Sequence, residues 1–119
     1  VYKRQALLFL PEKEEHEISL LFYKYLLMDK GWDCIYLGQK VPLKDFEAAY
    51  LQTSPDIVIT SLIRSTSSKH FKNIIKKILD VVPENKIYLS GSNTIVYSKY
   101  LPKGISTIHS LTDFTKIFE

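Results

Sequence analysis

The clearest structural signal in the sequence is residues 55–82, which read PDIVITSLIRSTSSKHFKNIIKKILDVV. The first part, PDIVITSLI (55–63), is rich in β-branched residues and is typical of a buried strand. The period then changes, because apolar residues recur every three or four positions and mark one face of a helix. These residues are Phe71, Ile74, Ile75, Ile78, Leu79 and Val82. A buried strand followed by an amphipathic helix predicts one unit of a parallel α/β sheet.

The same alternation of strand and helix runs through the rest of the chain. Further strands are predicted at QALLFL (5–10), DCIYLG (33–38), KIYLSG (86–91) and ISTIH (105–109). Five strand–helix units predict one flavodoxin-like (Rossmann-like), doubly wound, five-stranded parallel sheet. Right-handed crossovers favour the strand order 2-1-3-4-5.

The remaining helices follow from apolar spacing and from turn residues. Apolar residues at helical spacing mark one face of the first, second and last helices. They are Ile18, Leu21, Phe22 and Tyr25 in the first, Leu43, Phe46 and Tyr50 in the second, and Leu111, Phe114 and Phe118, predicted to point inward, in the last. A short fourth helix is predicted near Asn93 to Tyr100, and Ser110 with Asp113 is a variant of a capping box before the last.

Composition limits the classes of protein to which the chain can belong. Its 119 residues are 45% hydrophobic with a net charge of +3, which fits one globular domain over 1–119. The single cysteine, Cys34, excludes an internal disulfide, and no apolar stretch reaches transmembrane length. A cytoplasmic location without a membrane partner is therefore expected. Because the chain opens on Val1 rather than Met, we also expect it to be part of a longer protein.

Ligands of such sheets bind at the carboxyl ends of the strands, and three common kinds of site do not fit those positions here. The loop after the first strand carries Glu12, Glu14, Glu15 and Glu17, which would repel a phosphate. Thr60 and Ser61 stand where a phospho-acceptor receiver has an aspartate. A G-x-S-x-G nucleophile elbow does not occur.

His16 lies among these acidic residues and raises two interpretations. Imidazole is a common metal ligand, and Glu14 is near enough in sequence to bind its second ring nitrogen. Without neighbouring ligands, a lone histidine cannot hold zinc, but it can serve as the axial ligand of a metal held by a macrocycle. Chemistry alone leaves a solvated helix-start histidine and an axial ligand of a corrin or a haem both open.

The order of three short motifs resembles a known family. EEHEIS (14–19), SLI (61–63) and SGS (90–92) lie where cobalamin-binding domains have D-x-H-x-x-G, S-x-L and G-G. The segment GWDCIYLGQKVPLKDF (31–46) is similar to the C-terminal sensor domain of MerR-type, cobalamin-dependent transcriptional regulators. The positions that match the family's cofactor-binding motifs are Glu14, His16, Ser19, Ser61, Ile63, Ser90 and Gly91.

The resemblance implies a site for cobalamin, with the form of its upper ligand left open. His16 would replace the cofactor's own dimethylbenzimidazole as the lower axial ligand of cobalt, and Glu14 would set its tautomer. The nucleotide tail would lie in a groove beside the sheet, where Ser61 would bind its base and Gly91 would leave room for it. Ser19 and Ser90 replace family glycines and would narrow that groove.

The resemblance also implies a function, with alternatives. The domain would be the cobalamin sensor of a transcriptional regulator and not an enzyme. DNA would be bound by an N-terminal module outside this chain, and the full-length protein would form homo-oligomers. Two alternatives remain: a cofactor-free interaction module with a degenerate site, and a corrinoid carrier domain of a methyltransferase or mutase.

Overall fold

The computed structural model describes residues 2–119 as a five-stranded parallel sheet flanked by helices. The strands are β1 (Gln5–Pro11), β2 (Asp33–Val41), β3 (Ile57–Ser61), β4 (Ile87–Ser90) and β5 (Ser106–Ile108). The helices are α1 (Ile18–Asp29), α2 (Leu43–Thr53), α3 (Ser68–Leu79), α4 (Asn93–Val96) and α5 (Leu111–Phe118). Short 3-10 turns cover Glu84–Lys86 and Ser98–Tyr100.

The order of the strands is β2-β1-β3-β4-β5, so the predicted fold class and strand order are confirmed. β1 and β3 form the centre, with Ala6 opposite Ile57 and Phe9 opposite Thr60. Both are buried throughout their central residues, which explains why they read as continuous apolar runs rather than as alternating ones. β2 is longer than predicted and continues to Val41 through two irregularities of its pairing with β1.

Two apolar layers cover the two faces of the sheet. Leu8 and Ile59 point toward α1 and α5, and Leu7 and Val58 point toward α2 and α3. The predicted stripe of α3 lies in the second layer, with only Leu79 partly rather than fully buried. The hydroxyl of Ser67 accepts the amide of His70 and caps α3. Among residues 2–119, no helix combines the length and the hydrophobicity that a membrane span requires.

The apolar face predicted for α1 exists, but it faces solvent. Ile18 and Tyr25 are 85% and 65% exposed, and Leu21 and Phe22 are also exposed. The buried residues of α1 are instead Leu20, Tyr23 and Leu27. The helix is apolar on nearly all sides, so spacing alone offered two faces and did not distinguish them.

One inward position predicted for α5 is also wrong. Phe114 and Phe118 are buried, but Leu111, the first residue of the helix, is 55% exposed. The predicted cap at the start of α5 is confirmed. The hydroxyl of Ser110 accepts the amide of Asp113, and the Asp113 carboxylate accepts the amide of His109.

Candidate corrinoid-binding site

A tight turn after β1 directs the side chain of Glu14 into the protein. The amide of Glu14 donates to the carbonyl of Pro11 at 3.0 Å, and Lys13 adopts the left-handed conformation within the turn. The carbonyl of Glu14 then accepts the amide of Lys40, near the end of β2. As a result Glu14 is only 4% exposed, although its neighbours Glu12 and Glu15 are exposed.

The carboxylate of Glu14 joins the loop after β1 to the loop after β3. Its Oε1 accepts the backbone amides of Ile63 at 2.6 Å and Arg64 at 2.7 Å. Its Oε2 lies 2.8 Å from Nδ1 of His16. Burial by itself would raise the pKa of this carboxyl, but the hydrogen bonds from Arg64, His16 and Ile63 outweigh it and lower the pKa.

The Glu14 carboxylate determines the tautomer of the neutral His16 ring. A carboxylate only accepts hydrogen bonds, so Nδ1 carries the proton and donates it to Oε2. Nε2 is then the ring nitrogen with a free lone pair in the neutral imidazole. The His16 side chain is 55% exposed. Within residues 2–119, no three His, Cys, Asp or Glu side chains form a group that could hold a metal ion.

Two pairs of hydroxyl groups lie between α1 and the ends of β3 and β4. The hydroxyls of Ser19 and Ser61 are 3.3 Å apart, and those of Tyr23 and Ser90 are 2.8 Å apart. Ser61 and Ser90 are buried in this layer. The Tyr23 ring also stacks on Phe114 of α5, with ring centroids 5.5 Å apart. The space beside Ser61 and Ser90 is therefore filled by α1 in this structure.

Gly91 is required by the packing of the chain itself. Its φ is +100°, and an added Cβ would lie 2.4 Å from the carbonyl oxygen of Leu62. The two loops approach this closely because the Leu62 amide donates to the Ser90 carbonyl, and the Asn93 amide donates to the Leu62 carbonyl. Gly31 has a similar φ of +92° but open space around it. The proposed contact between Gly91 and a ligand stays a prediction.

Glu15 and Glu17, which flank His16, have different kinds of partner. The Glu15 carboxylate lies 3.0 Å from the ammonium of Lys40. The Tyr36 hydroxyl donates to Glu17 at 2.5 Å, and burial, with this hydrogen bond, raises the pKa of Tyr36. The Lys40 ammonium offsets the charge of Glu15, whereas the Tyr36 hydroxyl leaves the charge of Glu17 in place.

Exposed apolar side chains stand at the same edge of the sheet as His16. They lie at the first residues of α1 and α5 and in the short helix α4, which follow β1, β5 and β4 along the chain. The residues are Ile18, Ile95, Val96 and Leu111. Exposed apolar side chains at this edge of the sheet suit a ligand with a large apolar surface.

The B12 binding domain model of protein families matches residues 5–108. The chain belongs to the B12-binding domain family. The match includes every strand of the sheet and all the motif positions from Glu14 to Gly91, so the resemblance drawn from the motifs is confirmed at the level of the family.

Two curated relatives of this B12-binding domain are transcriptional repressors from Myxococcus xanthus. It is 32% identical over 87 residues to the HTH-type transcriptional repressor CarA, a match that covers 73% of this chain and 30% of CarA. It is 33% identical over 92 residues to the HTH-type transcriptional repressor CarH, covering 76% of this chain and 30% of CarH. The domain thus spans less than a third of the length of either repressor.

Solved structures with the same fold are more distant in sequence. A cobalamin-binding protein from Desulfitobacterium hafniense superposes with a TM-score of 0.76 at 18% identity, over 97% of this chain and 57% of that one. The monomethylamine corrinoid protein of Methanosarcina barkeri gives 0.72 at 14% identity, over 95% and 55%. The methanol:cobalamin methyltransferase complex MtaBC of the same organism gives 0.64 at 20% identity, over 75% and 34%. These likenesses establish the fold.

Three residues that form part of the site in this B12-binding domain were not predicted from the sequence. Arg64 contributes only its amide, which no side-chain motif reveals. Asn93 donates its side-chain amide to the Arg64 carbonyl at 2.8 Å and so braces the loop that holds Glu14. Tyr23 could have been identified from the sequence, because it lies one helical turn after Ser19 and therefore on the same face of α1.

Proposed function

We propose that this domain binds a corrinoid through His16 and is the cobalamin-sensing part of a transcriptional regulator. In this proposal His16 is the lower axial ligand of cobalt, and Glu14 holds its ring. The supporting observation is the 2.8 Å contact between Glu14 Oε2 and His16 Nδ1, which leaves Nε2 free on a half-exposed ring. A single imidazole is sufficient for a metal whose other positions are occupied by a macrocycle.

The surroundings of His16 fit a corrinoid better than the space beside Ser61 and Ser90 does. The free Nε2 and the exposed apolar residues around His16 suit the cobalt and the face of a corrin ring. The hydroxyls of Ser61 and Ser90 are suitable partners for the polar atoms of a nucleotide tail, but they are paired with Ser19 and Tyr23. Binding of a tail there requires α1 to release these hydroxyls.

A role in transcription is supported by the relatives rather than by this domain's own surface. Both curated relatives carry an HTH-type repressor name, and each is more than three times as long as the matched segment. We therefore assign DNA binding and oligomerisation to other parts of the full-length protein. In this account the domain performs no catalysis, and a cytoplasmic location follows from the regulatory role.

Two other functions have specific observations in their favour. A corrinoid carrier domain is favoured by the structural likeness to the monomethylamine corrinoid protein and to MtaBC. A cofactor-free interaction module is favoured by the two hydroxyl pairs that close the space beside Ser61 and Ser90. The sequence adjoining this domain separates the first alternative from the sensor, because a helix-turn-helix module supports the sensor and a methyltransferase subunit supports the carrier.

An absorbance titration with hydroxocobalamin tests whether the domain binds a corrinoid through His16. We expect a saturable spectral change for the unaltered protein and its loss in His16→Ala, because in this proposal the His16 imidazole is the protein's only ligand to cobalt. The matched controls are His70→Ala and His109→Ala, which remove the other two histidines of the chain and should leave the change intact.

Two results of this titration would argue against cobalt binding by His16. An unaltered spectrum with the intact protein would contradict the proposal and favour the cofactor-free module. A spectral change that survives His16→Ala would exclude His16 as the ligand. A parallel titration with haemin covers the remaining macrocycle, since a lone histidine suits haem iron as well.

A further inference from the structure

Tyr23 fills the space between α1, α5 and the end of β4. It is 8% exposed, and its ring lies parallel to that of Phe114 with an angle of 5° between the planes. Its hydroxyl reaches the buried Ser90 hydroxyl at 2.8 Å. A tyrosine that both stacks and hydrogen-bonds within a core layer has one well-defined position. That position is beside the two buried serines at the ends of β3 and β4.

The contacts that keep Tyr23 in place can be exchanged for contacts to a ligand. Both hydroxyl pairs join neutral groups, and such hydrogen bonds add little net stability because another polar partner can replace either member. The first turn of α1 has no side-chain cap, and its outer face at Ile18 and Phe22 is exposed to solvent. Leu20 of the same turn is fully buried, so the hydroxyls are released by a change of the Ser19 and Tyr23 side chains rather than by movement of the whole turn.

We infer that Tyr23 determines which class of corrinoid the domain prefers, by disfavouring corrinoids that carry a nucleotide tail. This inference rests on the proposed function, in which His16 binds cobalt and the tail lies beside Ser61 and Ser90. A tail reaches Ser90 only when the Tyr23 ring leaves Phe114 and its hydroxyl leaves Ser90. A corrinoid without a tail, such as cobinamide, needs only His16 and the edge of the sheet.

The ratio of two dissociation constants measures this preference. Absorbance titrations with hydroxocobalamin and with aquocobinamide give a Kd for each ligand in the unaltered protein, Tyr23→Leu and Tyr23→Ala. The energy needed to release cobalamin from its own base is the same for every variant, so it cancels when the ratios are compared. Tyr23→Leu retains an apolar side chain near Phe114 and so keeps the inference testable if Tyr23→Ala does not fold.

We expect both substitutions to lower the ratio of the cobalamin Kd to the cobinamide Kd by about tenfold, which corresponds to about 1.4 kcal/mol. Tyr23→Phe, which removes only the hydroxyl, should lower it less. Tyr25→Leu changes the same residue type on the exposed face of α1 and should leave the ratio unchanged.

Three outcomes would overturn the inference. An unchanged ratio in Tyr23→Leu would mean that the tail does not displace the ring. A raised ratio would mean that Tyr23 holds the tail instead of opposing it. If neither corrinoid gives a spectral change that depends on His16 in the unaltered protein, the proposed function fails and the inference fails with it. The first two outcomes leave the proposed function standing.

Discussion

Glu14 holds two parts of the site together with one carboxylate. Its Oε1 binds the loop after β3, and its Oε2 binds the His16 ring. Lowering the pKa of a buried carboxyl requires that hydrogen bonds outweigh the cost of burial, as they do here. The position of the His16 ring and the packing of the β3 loop therefore depend on the same charged group.

This charge makes the stability of the domain depend on pH in a defined direction. Because folding lowers the pKa of Glu14 from its ordinary value of 4.5, its stabilising contribution is complete above that value and is lost as the pH falls through the lowered pKa. We expect Glu14→Gln to lower the free energy of unfolding by about 1–3 kcal/mol near neutral pH. Urea denaturation at about pH 7 and about pH 3.5 should show this difference shrinking at the lower pH.

The control for Glu14→Gln is Glu12→Gln, which changes an exposed carboxyl of the same turn. It should have little effect on unfolding at either pH. If Glu14→Gln instead destabilised the domain equally at both pH values, the carboxylate charge would not be the source of the effect.

The contact between Glu14 and His16 could be predicted from the sequence because it joins residues that are close along the chain. Glu14 and His16 are two positions apart, so their contact followed from the motif and from ordinary loop geometry. The pairing of Tyr23 with Ser90 joins residues 67 positions apart. Such a contact depends on how α1 sits on the sheet, which the order of residues within α1 does not specify.

At the scale of the elements, α1 is the helix whose orientation the sequence left open. Its two candidate faces are both apolar, and the face that packs is set by the side chains of β1, β3 and α5 that it meets. The faces of α2 and α3 were predictable because polar residues occupy their other sides. The exposed fractions of Leu20 and Leu21 of α1 are 0% and 43%.

These adjacent leucines provide a matched test of the orientation of α1. We expect Leu20→Ala to lower the free energy of unfolding by about 2–5 kcal/mol, because it leaves a cavity in a closed layer. Leu21→Ala should cost about 0.5 kcal/mol or less, because its side chain is largely in water. Both are measured by urea denaturation, and a larger loss for Leu21→Ala would mean that α1 packs through its other face.

At the scale of the whole molecule, the parallel topology gathers distant sequence motifs at one edge. The motifs at residues 14–19, 61–63 and 90–92 lie at or just after the carboxyl ends of β1, β3 and β4, which are neighbours in the sheet. The fold was predictable because buried parallel strands and amphipathic helices differ in their apolar period. The filling of the space beside Ser61 and Ser90 by α1 was not predictable, because it results from the tertiary packing of Tyr23 on Phe114.

Electron paramagnetic resonance of the cobalt(II) form tests the claim that His16 supplies the axial nitrogen of a bound corrinoid. The domain is labelled uniformly with nitrogen-15 and mixed with cob(II)alamin of natural isotopic abundance. If the His16 imidazole binds cobalt, the nitrogen splitting of the cobalt lines changes from a triplet in unlabelled protein to a doublet in labelled protein, and His16→Ala abolishes the doublet. A triplet that persists in the labelled protein would contradict the claim, because the nitrogen on cobalt would then belong to the cofactor's own base.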